Sequence, residues 1–329
     1  MTDASILAAA LADPQSLPLE TDWAALVAMA RAEQLLGTLA YRLGGLPMPK
    51  TVAHLLADAR ASSEQGRRVA LWEAEMARRA LAPLGCPVVL LKGTAYAAAG
   101  LAAGRGRSIG DLDILVPRGS LDAVEAALLA AGWEWAKPDA YDDAYYRRWM
   151  HELPPLIHRE RDRMIDVHHT ILPLTAGQTP DAAALIADAV PLGNGLSVLS
   201  PTDMIVHAAT HLFADGDLAG GLRNLWDVHC LIGEFGTEGL EARAEHHDLS
   251  TAVGRAARLA RQLYATEMPA CAIRAHRDDA VYRRRLLARD GWGRPTRPLT
   301  RFGFYVRSHW LRMPPAMLAR HLWAKWRSR

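Results

Sequence analysis

An α+β fold, with a small mixed β-sheet set between helical regions, is what the 329-residue sequence predicts, and three observations carry it. Alanine and leucine recur at three- and four-residue spacings up to about Leu84. Short apolar, glycine-bounded runs occupy residues 87–171, and helical periodicity returns from Pro201 onward. Half of the residues are apolar and 22% are charged, which suits a folded globular chain and excludes a disordered or fibrous one. The implied organisation is an N-terminal helical lobe (1–84), an α/β core (85–200), a C-terminal helical region (201–270) and a basic, Arg- and Trp-rich tail (271–329).

In the helical lobe, the spacing predicts helices over 22–43 and 51–84, separated by Pro47 and Pro49. Asp22 is placed to cap the first, its carboxylate accepting unpaired N–H groups of the opening turn. Residues 87–91 then read as a buried strand, entered after Gly85 and left through Gly93, and a helix follows over 94–103. After the polar loop 105–110, residues 111–116 form a second strand, and Ser120 is placed to cap a helix through Ala131. Two further strands, 155–158 and 164–171, are joined as a hairpin by the charged run 159–163, although that turn lacks Asn-Gly. Helices are expected to open at Pro201-Thr202-Asp203, over 223–235 and over 240–265.

Asp111 and Asp113 stand two apart at the start of a strand, so both side chains leave the same face. Two ionised carboxylates at roughly 4 Å repel by about 4 kcal/mol at an effective dielectric near 20, which a bound cation relieves. In Met164-Ile165-Asp166-Val167-His168, alternation puts Asp166 on the face opposite Ile165 and Val167, where a neighbouring strand can bring it beside the pair. Three oxygen ligands suit magnesium or manganese, and the chemistry implied is two-metal phosphoryl transfer. Lys92, Gly93 and Thr94 lie where a strand gives way to a helix, a place for phosphate oxygens, and Arg107 offers a guanidinium in the loop entering the aspartate strand.

At these residues the chain resembles the DNA polymerase beta-like nucleotidyltransferase superfamily, and within it an uncharacterised bacterial nucleotidyltransferase family. The resemblance rests on Val89-Leu90-Leu91-Lys92-Gly93-Thr94, on Arg107-Ser108-Ile109-Gly110-Asp111-Leu112-Asp113-Ile114-Leu115-Val116, on Ile165-Asp166-Val167-His168 and on Leu222-Arg223-Asn224-Leu225-Trp226-Asp227. It implies a palm-like fold and transfer of a nucleoside monophosphate from a nucleoside triphosphate such as ATP to an acceptor hydroxyl, with release of pyrophosphate. It also implies that Asp111, Asp113 and Asp166 are the catalytic carboxylates and ligands of Mg2+ or Mn2+, and that Gly93 and Thr94 occupy the superfamily's Gly-Ser position. The acceptor is left open between a small molecule, a protein side chain and a nucleic-acid end. The alternative is a binding module that recognises a nucleotide or nucleic acid on the same fold without turnover.

Other patterns bound the reading. His207 and His211 share a helical face, but Ala208 stands where the metalloprotease motif has glutamate, so they read as core or surface histidines. His168 is a possible proton acceptor, and Arg223 and Asp227 read as an i,i+4 ion pair. Cys86, Cys230 and Cys271 form no CxxC pair, and neither a signal peptide nor a spanning helix is read, so a cytoplasmic location is expected. From Arg274 onward 15 Lys or Arg face three Asp, a balance of +12 against −10 for the preceding residues. Such a tail reads first as a solvated Arg-rich helical face, and otherwise as one that meets an anionic surface, nucleic acid or its own acidic body.

Overall fold

The computed structural model describes residues 3–18, 20–137, 139–268 and 276–312. Helices α1 (Ser5–Ala12), α2 (Trp23–Ala32), α3 (Leu36–Arg42) and the 32-residue α4 (Lys50–Leu81) form the front of the chain. The Asp22 carboxylate accepts the Ala25 N–H at 3.0 Å and starts α2. The helix expected over 22–43 is broken in two, because Gln34 adopts a left-handed conformation (φ 56°) and the Leu35 N–H reaches back to the Ala30 carbonyl at 2.7 Å. Helix α4, about 48 Å long at 1.5 Å per residue, buries Ala70, Ala74, Ala77 and Leu81 at helical spacing in its second half.

Next come β1 (Val89–Leu90), α5 (Lys92–Ala98), β2 (Leu112–Leu115), α6 (Leu121–Ala130), β3 (Trp133–Trp135), α7 (Ala140–Trp149), β4 (Leu156–His158) and β5 (Met164–His168). Helix α8 (Ala182–Ala187), β6 (Val190–Pro191) and β7 (Ser197–Val198) complete the sheet region. The seven strands pair in the order β3-β4-β5-β2-β1-β7-β6. Strands β2 and β5 run parallel, as do β1 and β7, while the other pairs are antiparallel, so the sheet is mixed as expected. All of β2 is buried, and Ile114, Leu115, Ile165 and Val167 enter one continuous core that runs from Ala4 to Phe304. Each such side chain contributes about 1.5–3 kcal/mol when fully buried.

Several boundaries differ from the sequence expectation. Helix α5 starts two residues early, at Lys92, and stops at Ala98, with a separate 3-10 turn over Ala102–Gly104. Ser120 precedes α6 but makes no side-chain cap. The β4–β5 hairpin forms as expected, with Asp162 (φ 53°) supplying the left-handed residue that Asn-Gly otherwise provides. Its charged turn is anchored: Arg161 donates to buried Glu73 of α4 at 2.8 and 3.0 Å and lies over Trp133. Strands β3, β6 and β7 and helices α7 and α8 had no counterpart in the sequence reading.

Helices α9 (Pro201–Ala214), α10 (Gly221–Phe235), α11 (Leu240–His246), α12 (Ser250–Tyr264), α13 (Asp279–Leu286) and α14 (Pro298–Arg312) follow. The single helix expected over 240–265 is interrupted at Asp248 (φ 57°), and the Leu249 N–H returns to the Ala244 carbonyl at 2.7 Å. The described part of the basic tail docks on the body through Arg289–Glu33 (2.7 Å), Arg297–Asp3 (2.6 Å) and Asp279–Arg258 (2.7 Å). Cys271, Trp323 and Trp326 lie outside the described residues, as does the side chain of Trp310. Among the described residues, no helix is long and apolar enough to cross a membrane.

Candidate active site

Parallel pairing of β2 with β5 sets the site, because it makes Asp113 and Asp166 register partners. Asp111 sits just before β2 on the same face as Asp113, and one carboxylate oxygen from each of the three lies within 4.8 Å of the others. They open into a cleft of about 760 Å3, the size of a small-molecule site, whose walls include Lys92, Gly93, Arg107, His207 and Asn224.

Asp113 is 3% exposed, and its Oδ1 accepts from the Lys92 ammonium at 2.5 Å and faces His168 Nε2 at 3.0 Å. Burial opposes its ionisation, but Lys92 and His168 outweigh it and hold the carboxyl well below the usual range. The same contact keeps Lys92 charged: burial favours proton loss, yet Asp113, with Asp111 and Asp166, raises the ammonium pKa. Lys92 has φ 49°, a left-handed turn at the end of β1 that goes with its return to Asp113. Asp166 is different. Burial and the negative charges of Asp113 and Glu152 push it up to about 7, and its Oδ1 is buried without a hydrogen-bond partner.

Arg107 lines the cleft but is engaged from behind by Asp227 of α10, and its guanidinium lies 5.7 Å over the Tyr96 ring. Asp227 also takes a hydrogen bond from Arg223, whose other donors reach Thr38 at 2.6 Å and Ala103 O at 3.4 Å. The i,i+4 pair is therefore part of a buried network joining α3, the loop before β2 and α10. Gly93 leaves room for this: a Cβ there would lie 2.5 Å from Arg107 Nε. Thr94 is 1% exposed, its hydroxyl has no hydrogen-bond partner, and it is not among the cleft's lining residues. His207 and His211 of α9 both face the cleft, their rings 6.2 Å apart. Burial and the Lys92 charge lower His207 to about 3 and His211 well below 6.5, so both imidazoles are neutral.

A family model described as an uncharacterised nucleotidyltransferase matches residues 20–265, three quarters of the chain. The chain belongs to that family. No curated protein matches it. The match runs from the front helices through the sheet to the end of α12, and α13 and α14 lie beyond it. Membership supports a transferase role.

The three aspartates fit a hard divalent cation. The donor set is all oxygen, and Asp166 Oδ1 is an orphaned buried acceptor. Sequence reasoning missed His151 and Glu152, which lie after α7 and also line the cleft. Glu152 Oε2 is 3.3 Å from His168 Nδ1 and 3.8 Å from His151 Nε2. No spacing in the sequence marks them, because a backbone bridge between Glu152 and His168 is what brings them in.

Proposed function

We propose that this protein transfers a nucleoside monophosphate from a nucleoside triphosphate to an acceptor hydroxyl and releases pyrophosphate. The observation that carries the reading is the convergence of Asp111, Asp113 and Asp166, with an unpartnered Asp166 oxygen, in a cleft of nucleotide size. The aspartates hold Mg2+ or Mn2+, which when bound neutralises phosphate charge and lowers the pKa of the acceptor hydroxyl. Lys92, beside Asp113, is the cation nearest the triphosphate, and Gly93 lets a phosphate approach the backbone. Arg107, oriented by Asp227, faces the same anion, with Thr94 behind. Membership of the DNA polymerase beta-like superfamily, a palm-like sheet, a cytoplasmic location and contact of the basic tail with an anionic surface belong to this proposal. The acceptor is a small molecule, a protein side chain or a nucleic-acid end.

A second reading, nucleotide binding without turnover, is favoured by the engagement of the cleft cations, Lys92 with Asp113 and both Arg107 and Arg223 with Asp227. Incubating each labelled triphosphate with Mg2+ and candidate acceptors separates the two. Metal-dependent pyrophosphate release that falls by ~10³-fold or more in Asp113→Asn supports transfer. Saturable binding with no release in the wild type supports the binding module.

A further inference from the structure

Beside the three aspartates stands a second group of donors that nucleotidyl transfer does not use. His151, Glu152 and His168 each offer a ligand atom, all within 4.8 Å of one another. Backbone pairing fixes them: the Leu153 N–H donates to Val167 O and the His169 N–H to His151 O, both at 2.9 Å, so residues 151–153 run antiparallel to 167–169.

The His168 ring is 3% exposed, and its Nε2 stands 3.0 Å from Asp113 Oδ1. An ionised carboxylate only accepts, so this partner assigns the ring proton to Nε2. Nδ1 is then a buried lone pair with no hydrogen bond, 3.3 Å from Glu152 Oε2. A lone pair and a carboxylate oxygen held that close offer two ligand atoms to one metal ion.

We propose that His151, Glu152 and His168 form a binding site for a zinc-class transition metal, with its fourth position open to the cleft. Two borderline imidazole donors beside one carboxylate suit zinc rather than magnesium, and three protein ligands leave one coordination place free. With bonds of about 2.0–2.1 Å, the edges of a tetrahedral site are about 3.3 Å. The Glu152–His168 spacing of 3.3 Å already has that length, and the His151–Glu152 spacing of 3.8 Å needs only a small closure. The Asp113–His168 contact is the outer hydrogen bond by which metal-ligating histidines are oriented. His151 supports the assignment, since its Nδ1 is buried with no hydrogen-bond partner. The site stands whether or not the cleft transfers nucleotides.

Full-length protein stripped by a chelator and titrated with Co2+ tests this. One equivalent is expected to give the intense visible absorption of four-coordinate cobalt, to be displaced by one equivalent of Zn2+, and to survive millimolar Mg2+. The absorption is expected to vanish in His151→Ala and in Glu152→Gln and to persist in Asp111→Asn, which leaves all three ligands in place. Circular dichroism checks each fold, and if His151→Ala is unfolded, Glu152→Gln decides. No cobalt uptake, a weak six-coordinate spectrum, a spectrum retained in Glu152→Gln, or one lost in Asp111→Asn would each overturn the assignment.

Discussion

Position 93 has no space for a side chain. A Cβ there would meet Arg107 Nε at 2.5 Å and Ile109 Cγ1 at 3.2 Å, so Gly93→Ala must move Arg107 off Asp227. A destabilisation of ~1–3 kcal/mol in urea unfolding is expected, together with loss of pyrophosphate release; unchanged stability would contradict it. Lys92 offers the converse test. Lys92→Met leaves the buried Asp113 charge with one partner fewer and is expected to lower stability by about 3 kcal/mol. Millimolar Mn2+ should reduce that deficit in thermal unfolding, because a cation on the aspartates replaces the lost charge; an equal deficit with and without Mn2+ counts against a shared site. At this scale the sequence was informative where a two-residue period sufficed, as for Asp111 with Asp113 and Asp166 with His168. It was silent where distant backbone decides, as for His151 and Glu152. The Arg223–Asp227 spacing was readable, but its burial under Thr38 and Arg107 was not.

The start of α9 is held by one buried carboxylate. Asp203 is fully buried, takes two 2.6 Å hydrogen bonds from Arg243 of α11, contacts His247 and accepts from Ser200. Burial alone would raise its pKa, but these bonds together lower it below 3.8. A depressed carboxyl stabilises the fold above its unfolded pKa, and that contribution is lost as pH falls through the lower folded value. Asp203→Asn is therefore expected to cost about 3 kcal/mol near neutrality, with the gap to wild type narrowing below pH 3.8 in denaturant titrations. A gap that stays constant down to pH 2.5 would refute the linkage. Among the elements, the strands carrying the aspartates were legible from the alternation of apolar residues with carboxylates. The interruptions at Gln34 and Asp248 were not, because each ends a helix with a left-handed residue that is neither glycine nor proline. A buried leucine, Leu35 or Leu249, follows each break, so tertiary packing overrides what local spacing reads as one helix.

Across the whole molecule, one apolar core joins the front helices, the sheet and the back helices, and α1 packs on α12. Calorimetry of the metal-free chain is expected to give a single unfolding transition; two well-separated peaks would count against it. The coarse succession of a helical region, a sheet region and a second helical region was legible, giving the α+β class. The strand order was not, since β7 returns to pair with β1 across a separation of more than a hundred residues. The Arg107–Asp227 contact has a practical corollary for anyone cutting the gene. A fragment spanning only the sheet, ending near residue 200, would strip a buried guanidinium of its carboxylate, and trimming the N-terminus past Thr38 would take a hydrogen-bond partner from Arg223. Soluble expression pieces should retain everything from α2 through α10, and a shorter catalytic minimum is a reagent to avoid.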